Sequence, residues 1–326
     1  MWLGSEGKVG RVTLDAVSSS GTIPFSVQQA VNQFVTETKK IIDSLRDDLG
    51  TESVPPAIYH YTDSGGLRGI IETGRLWLSD VFSMNDPSEL NHSFSIFLDV
   101  LKDKAVSHNA QLFAKGLLSF RNRIGIEKSG HYFTCSFSKA GNDLGQWRAY
   151  ADNGRGYVLC FNTTQLEAAF TQAGKLGFAE TSPLAYDDAR LRRIHCQIAD
   201  KLFQFLSLPC NVAAGAEWYT QLTLKALEAG FHFKHPAYTN EQEYRFLEAH
   251  PIDQPVPDLK FKPHRPYSLG KYREFDWRQS APDALQQIII GPAADRQKSL
   301  QFASDCVKSF HSGTVPITYS DIPYRV

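Results

Sequence analysis

The sequence predicts an α+β fold whose sheets are mixed or antiparallel and carry flanking helices. Short segments with strand-like alternation are interleaved with segments of helical periodicity along the chain. The strand-like segments alternate apolar and polar residues, whereas strands buried on both faces of a parallel sheet are continuously apolar. The chain has 326 residues, of which 42% are hydrophobic and 21% charged, and this composition is typical of a folded globular protein with a substantial core. These three observations favour antiparallel neighbours in the sheet.

Residues 1–54 are predicted to form an N-terminal arm and helix outside the main domain. Residues 1–23 are rich in Gly, Ser, Thr and Val without a clear period, which indicates a loose arm or an edge strand. From Phe25 to Leu49 apolar residues recur at helical spacing, and Gly50 is placed to end this amphipathic helix. Its polar face leaves it free to cap the main domain, which is the preferred interpretation, or to form a homodimer through residues 25–49.

The main domain is predicted to span residues 55–326. It opens with a strand at Ile58–Thr62, which is followed by Asp63 as a helix N-cap and by Gly74 as the stop of that helix. The other predicted strands are Arg75–Ser79, His131–Ser138, Gly156–Phe161, Tyr244–His250, Lys271–Phe275, Gln286–Ile290 and Val315–Tyr319. The other predicted helices are Pro87–Lys104, Ala110–Ile124, Asp143–Tyr150, Thr164–Ala173, Ala189–Phe205, Ala214–Ala229 and Ala294–Phe310.

Charge and cysteine content narrow the class of protein. The 34 basic and 35 acidic residues give a net charge of −1, so no overall positive field attracts nucleic acid or an anionic membrane, and any nucleic-acid contact must come from a local patch. The five cysteines are widely spaced without a Cys-x-x-Cys pair, which predicts free thiols. Neither a bilayer-spanning run of about 20 apolar residues nor a signal-peptide pattern is present. We therefore expect a cytoplasmic protein that does not contact membranes.

The best-known catalytic motifs are missing from the sequence. It contains no G-x-x-x-x-G-K-[ST] loop, no G-x-G-x-x-G fingerprint, no H-E-x-x-H, no G-x-S-x-G and no zinc spacing of Cys and His. P-loop hydrolases, Rossmann dehydrogenases, zincins and the usual serine hydrolases are therefore disfavoured, and no metal is expected.

Two polar clusters lie on predicted strands. In the first, His60 stands between Tyr59 and Tyr61 where a strand leads into a helix, so it is either a core histidine or a neutral imidazole that donates to a ligand hydroxyl. In the second, the hydroxyls of Thr134, Ser136 and Ser138 share one strand face, opposite the apolar row of Phe133, Cys135 and Phe137. This hydroxyl row is either the floor of a polar site or a solvent-facing edge.

Two further clusters combine aromatic and charged residues. Trp147, Arg148 and Tyr150 occupy one or two helical turns and can stack on a planar ligand and bind its phosphates, or form a rim of core aromatics. On a strand, the side chains of Glu241, Glu243 and Arg245 would share a face. They form either a local ion pair or a carboxylate site that stabilises an oxocarbenium-like sugar.

These segments resemble a widespread bacterial domain family of unknown function over roughly residues 57–326. The matching motifs are Tyr59–Thr62, Gly69–Ser79, Met84–Glu89, Cys135–Ser138, Gln146–Tyr150, Gly154–Gly156, Glu241–Arg245, Ile288–Pro292 and Ser320–Arg325. The opening, with a histidine strand, a short helix and a Gly-Arg-Leu strand, is also similar to the start of ADP-ribosyltransferases. That likeness implies a split sheet.

The ADP-ribosyltransferase resemblance implies a role for each candidate. In that superfamily a first-strand His or Arg holds the NAD ribose, a second-strand hydroxyl supports the site, and a late Glu promotes glycosidic cleavage. The matching residues are His60, then Ser136 and Ser138, and then Glu243, with Trp147 or Tyr150 stacking on nicotinamide. The resemblance further implies that Tyr61, Arg148, Glu241 and Arg245 complete the NAD-binding residues.

The resemblance also implies the reaction. NAD would lose nicotinamide through an oxocarbenium-like ribosyl cation, and ADP-ribose would pass to a protein or nucleic acid, as in a toxin or a phage-defence effector. The Glu241-Gln242-Glu243 segment is similar to the Glu-x-Glu pattern of transferases that modify arginine, but those enzymes normally begin with Arg where this chain has His60. The acceptor therefore stays open.

Two alternatives from other classes use the same residues. One is an RNA-end phosphotransferase or nuclease in which His60, Arg148, Arg155 and Arg245 surround a phosphate, and which is active without NAD. The other is a non-catalytic nucleotide-binding or partner-binding module.

Overall fold

The computed structural model describes residues 22–51, 54–83, 88–106, 108–124, 130–173, 178–205, 212–265 and 268–324. The strands are β1 (Ala57–Thr62), β2 (Arg75–Asp80), β3 (His131–Ser138), β4 (Tyr157–Asn162), β5 (Phe178–Pro183), β6 (Glu243–His250), β7 (Lys260–Arg265), β8 (Ser268–Asp276), β9 (Leu285–Ile290) and β10 (Ile317–Tyr319). The helices are α1 (Phe25–Thr51), α2 (Ser64–Thr73), α3 (Ser88–Lys104), α4 (His108–Ile124), α5 (Leu144–Tyr150), α6 (Thr163–Ala173), α7 (Asp188–Phe203), α8 (Val212–Gly230), α9 (Trp277–Ser280) and α10 (Arg296–Phe310).

The strands form one mixed sheet, which confirms the predicted α+β class. Their order is β10-β9-β4-β1-β3-β2-β8-β7, with β6 also paired to β3 and β5 paired to β6. The β9–β10 pair is parallel, and the other named neighbours are antiparallel. Helices flank this sheet, so the architecture agrees with the alternating strand pattern of the sequence.

The sheet divides along one edge of β3. Ser138 pairs with both Tyr59 on β1 and Glu243 on β6, and Thr134 pairs with both Ser79 on β2 and a residue of β6. Since β6 occupies one edge of β3 along its whole length, β1 and β2 must share the other edge, at opposite ends of the strand. The central residues of β3 lie between them, and a cleft opens at this point.

The short unit β1–α2–β2 is shaped by two residues that the sequence singles out. The Asp63 carboxylate accepts a hydrogen bond from the backbone N–H of Gly66 at 2.7 Å, so it caps the start of α2. Gly74 has a φ of 66°, the left-handed conformation that ends helices and that glycine adopts without steric cost. Both predicted helix limits are confirmed, and they fix how closely β2 follows β1.

Two hydrophobic cores lie on opposite faces of the central strands. Neighbouring residues of β6 make this plain, because Phe246 enters the core under α2, α6 and α10, whereas Leu247 enters the core formed by α1, α3, α7 and α8. The predicted apolar row of β3, which contains Phe133, Cys135 and Phe137, lies in the first of these cores. The hydroxyl row of β3 therefore faces the helical layer and the cleft.

Helix α1 is an integral part of the second core. The Phe34 ring has no exposed surface and meets the Trp218 ring edge-on, with the centroids 5.6 Å apart. Arg46 forms an ion pair with Glu180 of β5 at 2.6 Å. The capping interpretation agrees with this packing, and the predicted division at residue 54 does not separate two cores. The apolar face of α1 is covered within the chain, and the homodimer through residues 25–49 stays a prediction.

Two strands and one short helix were missed by the sequence pattern. β5 and β7 are edge strands, and such strands need no continuous apolar face; β7 even contains Pro263, which a central strand would not tolerate. The short helix is α9. The other predicted elements agree to within a few residues, although the predicted helix start at Pro87 lies outside the described residues.

Two composition-based expectations can be compared with the structure. Cys135, Cys160, Cys196 and Cys306 are free thiols, as predicted, and Cys210 lies outside the described residues. Within the described ranges, no helix combines the length and the apolar character needed to cross a membrane.

The packing of α1 predicts a large stability effect at its centre. Phe34→Ala should lower the free energy of unfolding by about 3–5 kcal/mol, because the substitution leaves a cavity beside Trp218. Phe25→Ala on the same helix is the matched control, since the Phe25 side chain is 77% exposed, and it should change stability by about 0.5 kcal/mol or less. Urea denaturation followed by circular dichroism measures both values. Equal effects of the two substitutions would contradict the integral role of α1.

Candidate active site

A cleft of about 480 Å³ opens where β1 and β2 part from each other along β3. Its lining comes from β1, β2, β3, α5, β7, β8 and the segment that leads into β6. The polar and aromatic residues in this lining include Tyr59, His60, Tyr61, Trp77, Ser79, Thr134, Ser136, Ser138, Gln146, Tyr150, Lys234, Tyr238, Glu241, Glu243, Lys262 and Lys271. The cleft therefore brings together most of the residues singled out in the sequence.

Glu243 is the most strongly held side chain of the cleft. Its Oε1 accepts hydrogen bonds from the Ser136 hydroxyl at 2.7 Å and from Arg245 Nε at 2.8 Å, and its Oε2 accepts one from Lys234 Nζ at 3.0 Å. Only 4% of Glu243 is exposed. The register of β3 against β6 explains the contact with Ser136, because Ser136 pairs with Arg245, and Glu243 is the adjacent residue on the same face.

The charge state of Glu243 follows from these partners. Burial acts to raise the pKa of its carboxyl group, but the positive charges of Arg245 and Lys234 and the hydrogen bonds from Arg245 and Ser136 outweigh it and lower the pKa to about 2. Glu243 is therefore ionised at neutral pH. In this state it can accept hydrogen bonds and stabilise positive charge, but it cannot donate a proton.

His60 lies on β1, so it approaches Ser136 from the edge of β3 opposite to the one that pairs with β6. Its Nδ1 lies 3.2 Å from the backbone carbonyl oxygen of Ser136, which can only accept a hydrogen bond, so Nδ1 carries the proton. Burial lowers the pKa of His60, which keeps the ring neutral at pH 7 and leaves Nε2 as an acceptor. The expectation that the imidazole donates a hydrogen bond to a ligand hydroxyl is thus wrong. The Nδ1–H of His60 donates to the carbonyl of Ser136, and Nε2 can only accept.

Ser136 links the two halves of the site. Its backbone carbonyl accepts from His60, and its hydroxyl donates to Glu243. The residue lies in the central part of β3, between the positions that pair with β1 and with β2. His60 and Glu243 are thus both hydrogen-bonded to Ser136, whereas the second expected hydroxyl, that of Ser138, bonds to the backbone instead.

Tyr61 and Ser138 shape the backbone around the cleft. The Tyr61 hydroxyl donates to the carbonyl of Ala140 at 2.8 Å and accepts from the N–H of Asp143 at 3.1 Å. The Ser138 hydroxyl donates to the carbonyl of Glu241 at 2.8 Å and accepts from the N–H of Ala140 at 3.1 Å. Both hydroxyls already have a donor and an acceptor, so these residues fix the loop after β3.

Glu241 does not lie on the strand that the sequence pattern suggested. It ends a 3₁₀ turn, and Gln242, with a φ of 45°, separates that turn from β6. The strand face therefore holds Glu243 and Arg245 alone. Glu241 still reaches the cleft, where its carboxylate accepts hydrogen bonds from the Tyr150 hydroxyl at 2.8 Å and from Lys234.

Helix α5 brings one of its two aromatic candidates to the cleft. Trp147 has no exposed surface, since its ring packs edge-on against Tyr61 and its Nε1 donates to Asn142 at 2.8 Å. Stacking on a ligand is therefore unavailable to Trp147. Arg148 is exposed outside the cleft lining. Tyr150 lines the cleft together with Gln146, because residues four apart share a face of a helix.

Lys234, Trp77 and Lys262 line the cleft but were not among the site residues expected from the sequence. Lys234 forms ion pairs with both Glu241 and Glu243, and it lines the cleft from the segment that follows α8. Trp77 lies on β2, which pairs with β3, whereas Lys262 lies on β7, which becomes a neighbour of the site only through β8. Among the described residues, no group of three or more His, Cys, Asp or Glu side chains is arranged to hold a metal ion.

The depressed pKa of Glu243 predicts how acid affects stability. Glu243→Gln should lower the free energy of unfolding by about 3 kcal/mol at pH 7, because it leaves the buried Arg245 without its counter-charge. A carboxyl group whose pKa falls from 4.5 to about 2 on folding stabilises the protein above pH 4.5, and this contribution is lost as the pH falls towards 2. The difference between wild type and variant should therefore shrink between pH 5 and pH 3.

Urea denaturation at several pH values measures this difference. The control is Glu72→Gln on the exposed side of α2, where the substitution removes a surface ion pair with Arg68 and should change stability little. A constant difference for Glu243→Gln over the acid range would contradict the depressed pKa.

Comparison with known proteins gives one match. Residues 146–246 match a family model described as "Protein of unknown function (DUF2971)". The matched segment contains Tyr150, Lys234, Glu241, Glu243 and Arg245 and begins after β3. No curated protein and no solved structure gives a significant match. The resemblance to a family of unknown function is thus supported for this segment, and over residues 146–246 of its 326 the chain is similar to the DUF2971 proteins.

Proposed function

We propose that the protein is an ADP-ribosyltransferase-like enzyme, which cleaves the nicotinamide glycosidic bond of NAD and transfers ADP-ribose to a macromolecule. The observation that carries this proposal is the convergence on Ser136, whose carbonyl accepts from His60 and whose hydroxyl donates to Glu243. A cleft of about 480 Å³ is within the size range of small-molecule sites, which runs from about 300 to 1,000 Å³.

The remaining hydrogen-bonding capacity of the site suits a ribose. Oε1 of Glu243 already has two donors, whereas Oε2 has Lys234 and can accept one more hydrogen bond. Nε2 of His60 is an acceptor as well. Both acceptors line the same cleft, and their number matches the two hydroxyl donors of the nicotinamide ribose.

The charge of Glu243 suits the proposed chemistry. The bond between C1′ of the ribose and the pyridinium nitrogen breaks, and its electron pair stays on nicotinamide, which leaves as a neutral molecule. Positive charge develops on the ribose, and the ionised carboxylate of Glu243 stabilises it through the hydrogen bond to the ribose hydroxyl. The acceptor atom then bonds to C1′ and releases its proton to solvent.

Tyr150 is the candidate for contact with nicotinamide. Its ring is exposed in the cleft, and its hydroxyl is fixed by the bond to Glu241. A ring held in this way can stack on a planar heterocycle without losing much conformational entropy. Tyr150 is therefore the remaining candidate for stacking on nicotinamide, a role for which the sequence indicated either Trp147 or Tyr150.

The arginine cluster of the phosphotransferase or nuclease alternative is not assembled. Arg148 is exposed outside the cleft, Arg155 pairs with Asp152 at an exposed turn, and Arg245 is committed to Glu243. These three guanidinium groups cannot surround one phosphate as they stand. A non-catalytic binding module would use the same cleft, and turnover of NAD distinguishes it from the enzyme.

Replacement of Glu243 tests the enzymatic proposal. Glu243→Gln should reduce NAD cleavage about 100-fold or more, because loss of one charge-stabilising group typically costs about 3 kcal/mol of barrier. Release of nicotinamide and transfer of label from NAD to cell extract measure the effect. Glu72→Gln on the exposed surface of α2 is the control and should retain wild-type activity. Normal labelling by the Gln variant would rule out the proposed role of Glu243.

The same assay separates Glu243 from Glu241. Glu241→Gln keeps the Glu243 charge and should reduce cleavage by about 10-fold or less, since Glu241 contacts Tyr150 and Lys234. Circular dichroism and thermal melting must show that both variants are folded. A thermal shift with NAD then reports whether binding survives without turnover.

Replacement of His60 tests the ribose contact. His60→Ala should lower kcat/KM for NAD by roughly 5- to 150-fold, which corresponds to about 1–3 kcal/mol for a ribose hydroxyl left without its acceptor. Protonation of His60 turns Nε2 into a donor, and burial lowers the pKa of this group, so wild-type activity should fall only below about pH 6.5. An Ala variant with unchanged kcat/KM, or one with an unchanged acid limb, would count against His60.

A further inference from the structure

The far lip of the cleft carries an aromatic wall formed by Trp77, Tyr272 and Lys262. The rings of Trp77 and Tyr272 lie 4.4 Å apart between centroids, with an angle of 34° between their planes, and Trp77 is 48% exposed. Lys262 Nζ lies 5.1 Å from the Trp77 centroid and 5.9 Å from the Tyr272 centroid, and it donates to the Ser79 hydroxyl at 3.1 Å. The wall thus combines a flat exposed ring with an ammonium group.

The strand register places this wall on the cleft face of the sheet. Ser79 pairs with Tyr272 on β8 and with Thr134 on β3, so these side chains share a face. Trp77 lies two residues before Ser79, and Lys262 lies opposite a glycine two residues before Tyr272, which puts both on that same face. The hydroxyl row of β3 therefore continues into the aromatic wall.

The wall stands opposite the proposed catalytic residues. β2 pairs with β3 only at Ser79 and Asp80, whereas on its other edge it pairs with β8 from Arg75 to Ser79. Trp77 thus lies on one lip of the split, whereas His60 of β1 lies on the other, and both line the same cleft. A ligand on the aromatic wall would therefore share the cleft with a ligand bound at His60 and Glu243.

The hairpin of β7 and β8 is a local basic patch, although the net charge of the whole chain is close to zero. Residues 260–276, which include both strands, contain five basic residues and two acidic residues, Glu274 and Asp276. The basic residues are Lys260, Lys262, Arg265, Lys271 and Arg273. Phe261 and Leu269 of the same hairpin are exposed. Positive charge and exposed apolar side chains therefore occur together next to the cleft.

Lys262 is the cation of this patch that is best placed to bind an anion. Lys260 pairs with Glu274 and Arg273 with Glu248, whereas no carboxylate among the described residues forms an ion pair with Lys262. Its surroundings are partly desolvated, and burial lowers its pKa. A phosphate oxygen would supply the charged acceptor that the ring faces and the Ser79 hydroxyl do not provide.

Single-stranded nucleic acid matches this combination better than other partners. Proteins that bind single strands combine aromatic side chains for base stacking with a positively charged surface for the phosphates. An acidic peptide would satisfy the lysines but would leave the ring of Trp77 without a planar partner. In a duplex the bases are paired and stacked on one another, so they are not free to stack on the wall.

We infer that the wall of Trp77, Tyr272 and Lys262 binds single-stranded nucleic acid, with a base stacked on Trp77 and a phosphate at Lys262. We also infer that the bound strand is the acceptor of ADP-ribose, and this part of the inference rests on the proposed function. In that step a nucleophilic nitrogen or oxygen of the strand bonds to C1′ of the ribose as the bond to nicotinamide breaks. The proton of the nucleophile goes to solvent, and nicotinamide leaves with the electron pair.

Fluorescence anisotropy with the full chain tests the binding. The probes are labelled DNA and RNA single strands of about 12 nucleotides with mixed sequence, and the matching duplexes. Wild type should bind at least one single strand more tightly than its duplex, and Trp77→Ala should weaken this binding roughly 5- to 150-fold. Lys262→Gln should reduce the slope of log affinity against log salt by about 1 between about 50 and 200 mM salt.

Matched controls separate the wall from general effects of substitution. Phe310→Ala removes an exposed aromatic ring on α10, and Lys298→Gln removes an exposed charge on the same helix. Both should bind the strand like wild type. Trp77→Phe, which keeps a ring, should recover part of the affinity lost in Trp77→Ala. Thermal melting verifies that each variant is folded.

Several outcomes would overturn the inference. The first is that neither single strand binds to the wild-type protein. The second is that Trp77→Ala and Lys262→Gln both bind the strand with wild-type affinity. The third is that Trp77→Ala weakens the binding of NAD but not the binding of the strand. Transfer of label from NAD to the strand is measured separately. Glu243→Gln should still bind the strand but should transfer label at a rate reduced about 100-fold or more. Binding without any NAD cleavage in wild type would support the wall and reject the proposed function.

Discussion

The geometry of the site depends on one feature of backbone pairing, which is that β1 and β2 share the same edge of β3. Because both strands cannot pair along the full edge, the carbonyl of Ser136 faces an opening, and His60 donates to it. The side chain of the same residue holds Glu243 through a hydrogen bond. A single position on β3 therefore sets the separation and orientation of the groups proposed to contact the ribose. The cleft itself is the space left where the two strands diverge.

The second constraint is electrostatic. A buried carboxylate is unfavourable unless it is paired and hydrogen-bonded, and Glu243 meets this condition through Arg245, Lys234 and Ser136. The pairing keeps Glu243 ionised and fixes its orientation. It also joins elements that are distant in sequence, since Lys234 follows α8 and Arg245 donates to the carbonyl of Phe231 at 3.2 Å. The helical layer behind the cleft, including α1, thereby supports the position of the carboxylate.

Much of the fold could be predicted from local patterns. Asp63 and Gly74 fix the ends of α2, and the alternation in His131–Ser138 gives both the strand and its apolar face. The candidates His60, Ser136 and Glu243 do meet in one cleft, although their roles remain a proposal. Glu241 was misplaced because Gln242 adopts a left-handed conformation, and Trp147 was misplaced because an aromatic residue on a short helix gives no sign of which way the helix turns. The edge strands β5 and β7 lacked the apolar alternation that marks central strands.

The amino-acid sequence by itself determined the α+β class, most helix and strand limits and the chemical types available for a site, because these follow from interactions between residues close together in the chain. Only the tertiary structure decided that β1 and β2 diverge along β3, that Lys234 joins the cleft lining, and that Trp77, Tyr272 and Lys262 form one wall. Strand order and register bring together residues as far apart in the chain as His60 and Glu243. Such long-range pairing depends on how all the strands pack at once, and no local pattern encodes it.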